Sequence, residues 1–287
     1  MTVNTSSVAV SETQYLEING HSLSYREQGT GQPLILLHRF RASIDDWDPA
    51  FISALAAGRR VIAFDSLGIG GSQGEVPATL EGAADLAARF TRALGLERAA
   101  FLGWSMGGMT AQILAIKHPD LVSALVLAGT LPPGGSPEVV PSGPEWSQVA
   151  GKPTYEDDDV LYLFFTGSDA SRAAGRASLA RITSRGRQGS AVKTSSTVMQ
   201  AQLGAIIDFY QNQGGWYERL NEIGAPTFVA NGDRDGAFPA IDSVVLAREI
   251  PGAHLAIYPD AGHGFLFQDP ERFGADVLRF LEHPTRA

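Results

Sequence analysis

The chain has 287 residues, 44% of them hydrophobic, which is enough for a sizeable core in one large α/β domain or in a core domain carrying an insertion. Its 31 acidic residues outnumber 22 basic ones, giving a formal net charge of -9, which argues against a nucleic-acid or anionic-membrane partner and favours chemistry on a small molecule. There is no cysteine, so disulfides, thiolate catalysis and cysteine metal sites are excluded.

The first twelve residues are rich in Thr and Ser and lack the basic start and apolar core of a signal peptide. No apolar run reaches membrane-spanning length, so a cytoplasmic location is expected. Tyr15-Leu16-Glu17-Ile18 and Leu23-Ser24-Tyr25 alternate around Asn19-Gly20, the signature of a hairpin of two antiparallel strands. Four continuous apolar runs follow, Leu34 to Leu37, Val61 to Phe64, Ala99 to Leu102 and Leu121 to Leu127, separated by helical patterns. Such runs predict a mostly parallel sheet covered by helices on both faces.

Gly103-Trp104-Ser105-Met106-Gly107 directly follows the third run and has the G-x-S-x-G form of a nucleophile elbow. A strand that turns sharply into a helix holds its serine in a strained conformation and lifts Oγ out of the sheet, and the two glycines leave room for the turn. Ser105 is therefore the expected nucleophile. The backbone N–H of Met106, in the first helical turn, is free to face a bound carbonyl oxygen, which is half of an oxyanion hole. The helix itself is predicted to bury one face through Met109, Gln112, Ile113 and Ile116 and to stop at His118-Pro119.

The alternation lapses after Ala128, where Pro132, Pro133, Gly134, Gly135, Pro137, Pro141 and Pro144 cluster. From about 131 to 222 only helical pieces are visible, among them one with Met199, Leu203, Ile206, Ile207 and Tyr210 on a face. Strand–helix alternation resumes at Pro226 to Ala230, with a helix near Ile241 to Glu249, a core strand at His254 to Tyr258 and a last helix from Pro270 to Leu281. The expected organisation is a core of residues 1–130 and 223–287 with residues 131–222 inserted as a helical lid.

A neutral serine needs a base, usually histidine backed by a carboxylate. Of His21, His38, His118, His254, His263 and His283, only His263 lies in a glycine-flanked loop, Ala261-Gly262-His263-Gly264-Phe265, after a late strand and before the last helix. That loop falls at the carboxyl edge of the sheet, where Ser105 also lies. Gly232-Asp233-Arg234-Asp235-Gly236 follows the strand Phe228 to Ala230 and falls at the same edge, with Asp235 the first choice for the acid and Asp233 the alternative.

These residues resemble the α/β-hydrolase superfamily, whose acid loop commonly reads G-x-x-D with a proline four residues on, as Gly232, Asp235 and Pro239 do here. The chain order Ser105, Asp235, His263 is also similar to the family's. Asp65-Ser66-Leu67-Gly68-Ile69-Gly70-Gly71-Ser72 resembles its D-x-x-G-x-G-x-S turn, and Leu36-Leu37-His38 its approach to the oxyanion loop. The resemblance implies the α/β-hydrolase fold with an inserted helical lid, a Ser-His-Asp triad, no cofactor and no metal. By position it makes the Phe40 N–H the second oxyanion donor beside Met106.

One departure stands out, because the family usually has His-Gly-x where this chain has His38-Arg39-Phe40. Arg39 and Arg41 are expected to face solvent or to bond Asp45 and Asp46; the competing reading sets their charge beside a polar or anionic substrate group. Trp47 is expected to pack at a helix start. Arg39, Trp104 and Phe165 are the candidate substrate contacts, and Leu161, Phe164, Phe165 and the apolar face of residues 199–210 the candidate pocket roof. The basic stretch Arg172, Arg176, Arg181, Arg185, Arg187, Lys193 and the acidic run Glu156 to Asp159 are expected to be solvated faces that attract each other.

A serine at the elbow disfavours the carboxylate mechanism of dehalogenases and epoxide hydrolases. The expected reaction is acyl transfer on a small carboxylic ester or lactone, the implied partner being a small-molecule substrate, with no nucleic acid and no membrane. Alternatives on the same triad are C–C bond hydrolysis of diketones and cofactor-free peroxidase-type activity. A further alternative is a hydrolase-like ligand-binding protein with negligible turnover. Oligomeric state is left open.

Overall fold

Asn19 and Gly20 both have positive φ, 51° and 80°, as the right-twisting two-residue hairpin turn requires. They join β1 (Gln14–Ile18) to its antiparallel partner β2 (His21–Gln28). The computed structural model describes residues 11–135, 144–184 and 195–284 of the chain. β2 pairs antiparallel with β4 (Arg60–Phe64), and every later pairing is parallel. With β3 (Pro33–Leu37), β5 (Ala99–Trp104), β6 (Val122–Ala128), β7 (Thr227–Gly232) and β8 (His254–Tyr258), the eight strands lie in the order β1-β2-β4-β3-β5-β6-β7-β8.

Alternate residues of the central strands feed two cores, because strand side chains switch faces every residue. Ile35, Leu37, Phe101 and Leu125 pack under α2 (Leu80–Ala93) and α3 (Met106–Lys117). Leu34, Leu36, Leu102 and Val126 pack under α1 (Pro49–Ala56) and α10 (Pro270–Glu282). Two expectations need correction. α3 buries every residue from Met106 to Ile116 rather than one face, since it is enclosed by the sheet, by α2 and by residues beyond them. β8 is an edge strand rather than a core strand, with Leu255 40% and Ile257 37% exposed.

The segment between β6 and β7 carries α4 (Pro144–Ala150), α5 (Asp157–Phe164), α6 (Asp169–Thr183) and α7 (Ser196–Tyr210). Glu156, Asp157, Asp158 and Arg176 are exposed as expected, but among the described residues no ion pair joins the acidic run to the basic stretch. Asp157, Asp158 and Asp159 occupy the first turn of α5, where carboxylates complement the helix dipole, and Asp159 pairs with Lys152 at 2.6 Å. Arg181 instead reaches the buried N-cap of α1, giving Asp48 two hydrogen bonds of 2.8 and 2.6 Å. Arg185, Arg187 and Lys193, like Pro137 and Pro141, lie outside the described residues. α8 (Ala240–Glu249) follows β7, and the short α9 (Phe265–Gln268) precedes α10. Among the described residues no helix is long and apolar enough to cross a membrane.

Candidate active site

Ser105 stands between β5 and α3 at φ 59°, ψ -121°, a conformation that costs an ordinary residue about 1–3 kcal/mol. The surrounding backbone leaves little alternative. A Cβ on Gly103 would lie 2.2 Å from the Gly107 carbonyl oxygen, and one on Gly107 would lie 2.1 Å from the Leu37 carbonyl oxygen. The strand, the helix and the end of β3 therefore meet backbone to backbone around the serine. Ser105 donates its amide to the Ala128 carbonyl at 2.9 Å, tying the elbow to β6. Met106 opens α3, so its amide has no partner within the helix.

The loops after β7 and β8 bring a carboxylate and an imidazole together. Asp235 Oδ2 lies 2.7 Å from His263 Nδ1, with both side chains almost wholly buried. Its other oxygen accepts the amides of Ala237 (2.7 Å) and Phe238 (3.0 Å), which hold the carboxylate still and compensate its burial. Trp104 donates its indole N–H to the His263 carbonyl at 3.0 Å, and the rings of Phe164 and Phe238 flank the imidazole at 5.7 and 5.5 Å. Asp233 is turned elsewhere: it accepts the Ala261 amide at 3.1 Å and so braces the two loops against each other.

Ser105 and His263 line one cavity of about 370 Å³ together with Phe40 and Arg39. Its remaining wall is mostly apolar: Phe164 and Phe238 beside the imidazole, and Trp146, Met199, Leu203 and Ile206 from the helices between β6 and β7. The face of α7 differs from the sequence reading. The buried stripe is Val198, Gln202, Ala205 and Phe209, while Met199, Leu203 and Ile206 look into the cavity and Ile207 and Tyr210 are exposed. Two candidate contacts also fall outside this cavity. Trp104 and Phe165 line a separate void of about 40 Å³ behind Arg39, because the Trp104 ring is packed among Trp47, Phe164 and Phe267. Leu161 is core rather than roof.

The α/β hydrolase fold family matches residues 32–270. The chain belongs to this family. It is 29% identical to a non-heme chloroperoxidase of Streptomyces lividans, over 92% of this chain and 97% of that one. An α/β hydrolase fold protein of Chitinophaga pinensis superposes with a TM-score of 0.84 at 31% identity, covering 96% of this chain and 99% of that one. The enol-lactonase of Burkholderia xenovorans gives 0.75 at 25% identity, covering 94% and 100%.

In this α/β hydrolase the loop after β3 is the least familiar part. His38 Nε2 donates to the Phe64 carbonyl at 2.7 Å, and burial pushes the imidazole pKa below its usual value, outweighing the opposing carboxylate of Asp65. Neither arginine faces solvent. Arg39 is 8% exposed; its guanidinium pairs with the buried Asp46 at 3.2 Å and covers the Phe164 and Trp104 rings at 4.8 and 5.5 Å. Arg41 is 1% exposed, at φ 61°, and donates to the backbone carbonyls of Ala150, Lys152 and Pro153 and to Tyr155. Asp45 pairs with Arg26 instead. Trp47 packs as expected, stacked on Phe51. Asp65 receives Ser24, Ile44 and Gly71 at 2.8 to 3.1 Å, and Gly70 (φ 56°) is required there because a Cβ would lie 2.1 Å from that carboxylate. The sequence reading missed Phe238 and Gln202. Phe238 had a signal, being an aromatic three residues beyond Asp235; a glutamine inside a helix had none.

Proposed function

We propose that this protein is a serine hydrolase of small carboxylic esters or lactones. The observation that carries the proposal is the buried 2.7 Å contact of Asp235 with His263, whose ring shares a cavity wall with Ser105. In this reading Asp235 orients the imidazole, and His263 removes the Ser105 proton as Oγ attacks the carbonyl carbon. The Phe40 and Met106 amides hold the resulting oxyanion. Collapse expels the alcohol, or opens the lactone ring, with the proton returned from His263. Water, deprotonated by His263, then releases the acid and restores Ser105.

A neutral, mainly apolar acyl group suits the walls provided by Phe164, Phe238, Met199 and Ile206. Arg39 is a poor anion receptor here because Asp46 already engages its charge. The helices α4 to α7 serve as the cap of the site. The similarity to an enol-lactonase supports the lactone member of the class. The similarity to a non-heme chloroperoxidase supports a second reading, in which peroxide instead of water takes the acyl group to give a peracid.

A panel of chromogenic esters and of lactones, with and without hydrogen peroxide, separates these. Turnover of neutral esters or lactones that disappears in Ser105→Ala is expected. Peracid formation exceeding hydrolysis favours the second reading, and no turnover of any carboxylic ester or lactone by pure, folded protein refutes the first.

A further inference from the structure

The peptide joining Phe40 to Arg41 is held from both sides. Its carbonyl accepts Arg39 Nη1 at 2.8 Å, and its N–H donates to Gln202 Oε1 at 2.9 Å. Gln202 is 4% exposed and comes from α7, 161 residues further along the chain. Arg41 meanwhile sits at φ 61°, a left-handed conformation that a non-glycine residue keeps only when its surroundings impose it. Those surroundings are also in the segment between β6 and β7. The Arg41 guanidinium donates to the Lys152 and Pro153 carbonyls at 2.6 and 2.5 Å and lies 4.8 Å from the Tyr155 ring centre.

The loop that carries Phe40 therefore takes its shape from the inserted helices as much as from the core. We propose that Gln202 is a positioning residue for hydrolysis, fixing through the Arg41 amide the direction in which the Phe40 N–H points. This rests on the reading of Phe40 as an oxyanion donor. Gln202 also lies three residues after Met199 and four before Ile206, neighbouring positions on a helix surface, and both of these line the cavity. A substrate seated against Met199 and Ile206 thus presses on the helix that holds the donor loop. The energetic logic is that of preorganised hydrogen-bond donors, which lose effectiveness when misdirected by about an ångström.

The test compares Gln202→Met, which keeps the shape and removes the acceptor, with Gln202→Glu, which keeps an acceptor oxygen. Hydrolysis of a chromogenic ester turned over by the wild type is measured, with thermal unfolding alongside. For Gln202→Met, kcat should fall about 10- to 100-fold with KM within about twofold. Gln202→Glu should restore kcat to within about fivefold of the wild type, because the Arg41 amide again has an acceptor. Should Gln202→Met fail to fold, Gln202→Ala is assayed for the same kcat loss at unchanged KM. Undiminished kcat in the folded Met or Ala variant overturns the inference, as does an equal loss in the Glu variant. Absence of fluorophosphonate labelling at Ser105 in the wild type marks failure of the catalytic reading itself, which a Gln202 variant does not affect.

Discussion

Alanine at position 107 adds a single methyl group at the closest approach between α3 and the loop after β3. That carbon would stand 2.1 Å from the Leu37 carbonyl oxygen, 2.5 Å from its carbon and 2.8 Å from the His38 carbonyl oxygen. All three are backbone atoms, so no rotamer change relieves the clash; α3 and β3 must separate by roughly 1.4 Å, given ordinary van der Waals spacing near 3.5 Å. Overpacking of this kind costs about 3 kcal/mol. Unfolding entropy near 2.1 cal/mol/K per residue gives about 0.6 kcal/mol/K for a chain of 287 residues. The melting temperature should therefore fall by about 5 °C. The same separation moves the Met106 amide away from Phe40, so kcat on an ester substrate should drop by about a hundredfold. Gly204→Ala is the control: that glycine is exposed on α7 with no atom within 4 Å of a built Cβ, and the helix gains slightly from alanine. Calorimetry and steady-state kinetics on both variants decide the matter. A Gly107→Ala protein with wild-type melting temperature and kcat would refute the steric reasoning.

Asp235→Asn should lower kcat by about a thousandfold or more, while Asp233→Asn stays within about tenfold, because only Asp235 touches His263; initial-rate measurements on an ester distinguish them. Arg181→Met removes the charged partner of the fully buried Asp48 carboxylate. Urea unfolding should show a loss of about 2 kcal/mol, below the range for wholly buried pairs because Arg181 is partly exposed. Burial depresses the His38 pKa, so the unfolded chain binds more protons there than the folded protein, and stability rises with pH. That contribution is complete above the unfolded value near 6.5 and is lost as pH falls through the folded value. The change in unfolding free energy between pH 7.5 and pH 5 should be smaller in His38→Gln than in the wild type.

Much of this was readable from short stretches of sequence because the physics there is local. Asn19-Gly20 demanded a hairpin turn, the apolar runs marked buried parallel strands, and the glycines around Ser105 recorded close backbone approaches. Asp235 and His263 were legible from their loops, since each follows a strand that ends at the same sheet edge. What escaped depends on distant partners. Arg41 looked like a surface cation, yet carbonyls more than 100 residues away enclose it, whereas the pairing of Arg39 with nearby Asp46 was among the expected arrangements. α7 has apolar residues around much of its circumference, so its pattern did not separate the side facing α2 from the side facing the cavity. Trp104 sits next to Ser105 in the chain, but its ring is packed behind the site among Trp47, Phe164 and Phe267.

The central claim is that Ser105 is the nucleophile of an acyl-transfer site served by His263 and Asp235. Its most direct test is intact-mass and peptide-mass analysis after treatment with a fluorophosphonate. One adduct per chain, mapped to Ser105, absent in Ser105→Ala and formed at least about a hundredfold more slowly in His263→Ala, is the predicted result. An adduct on another residue, or undiminished labelling of Ser105→Ala, would contradict it.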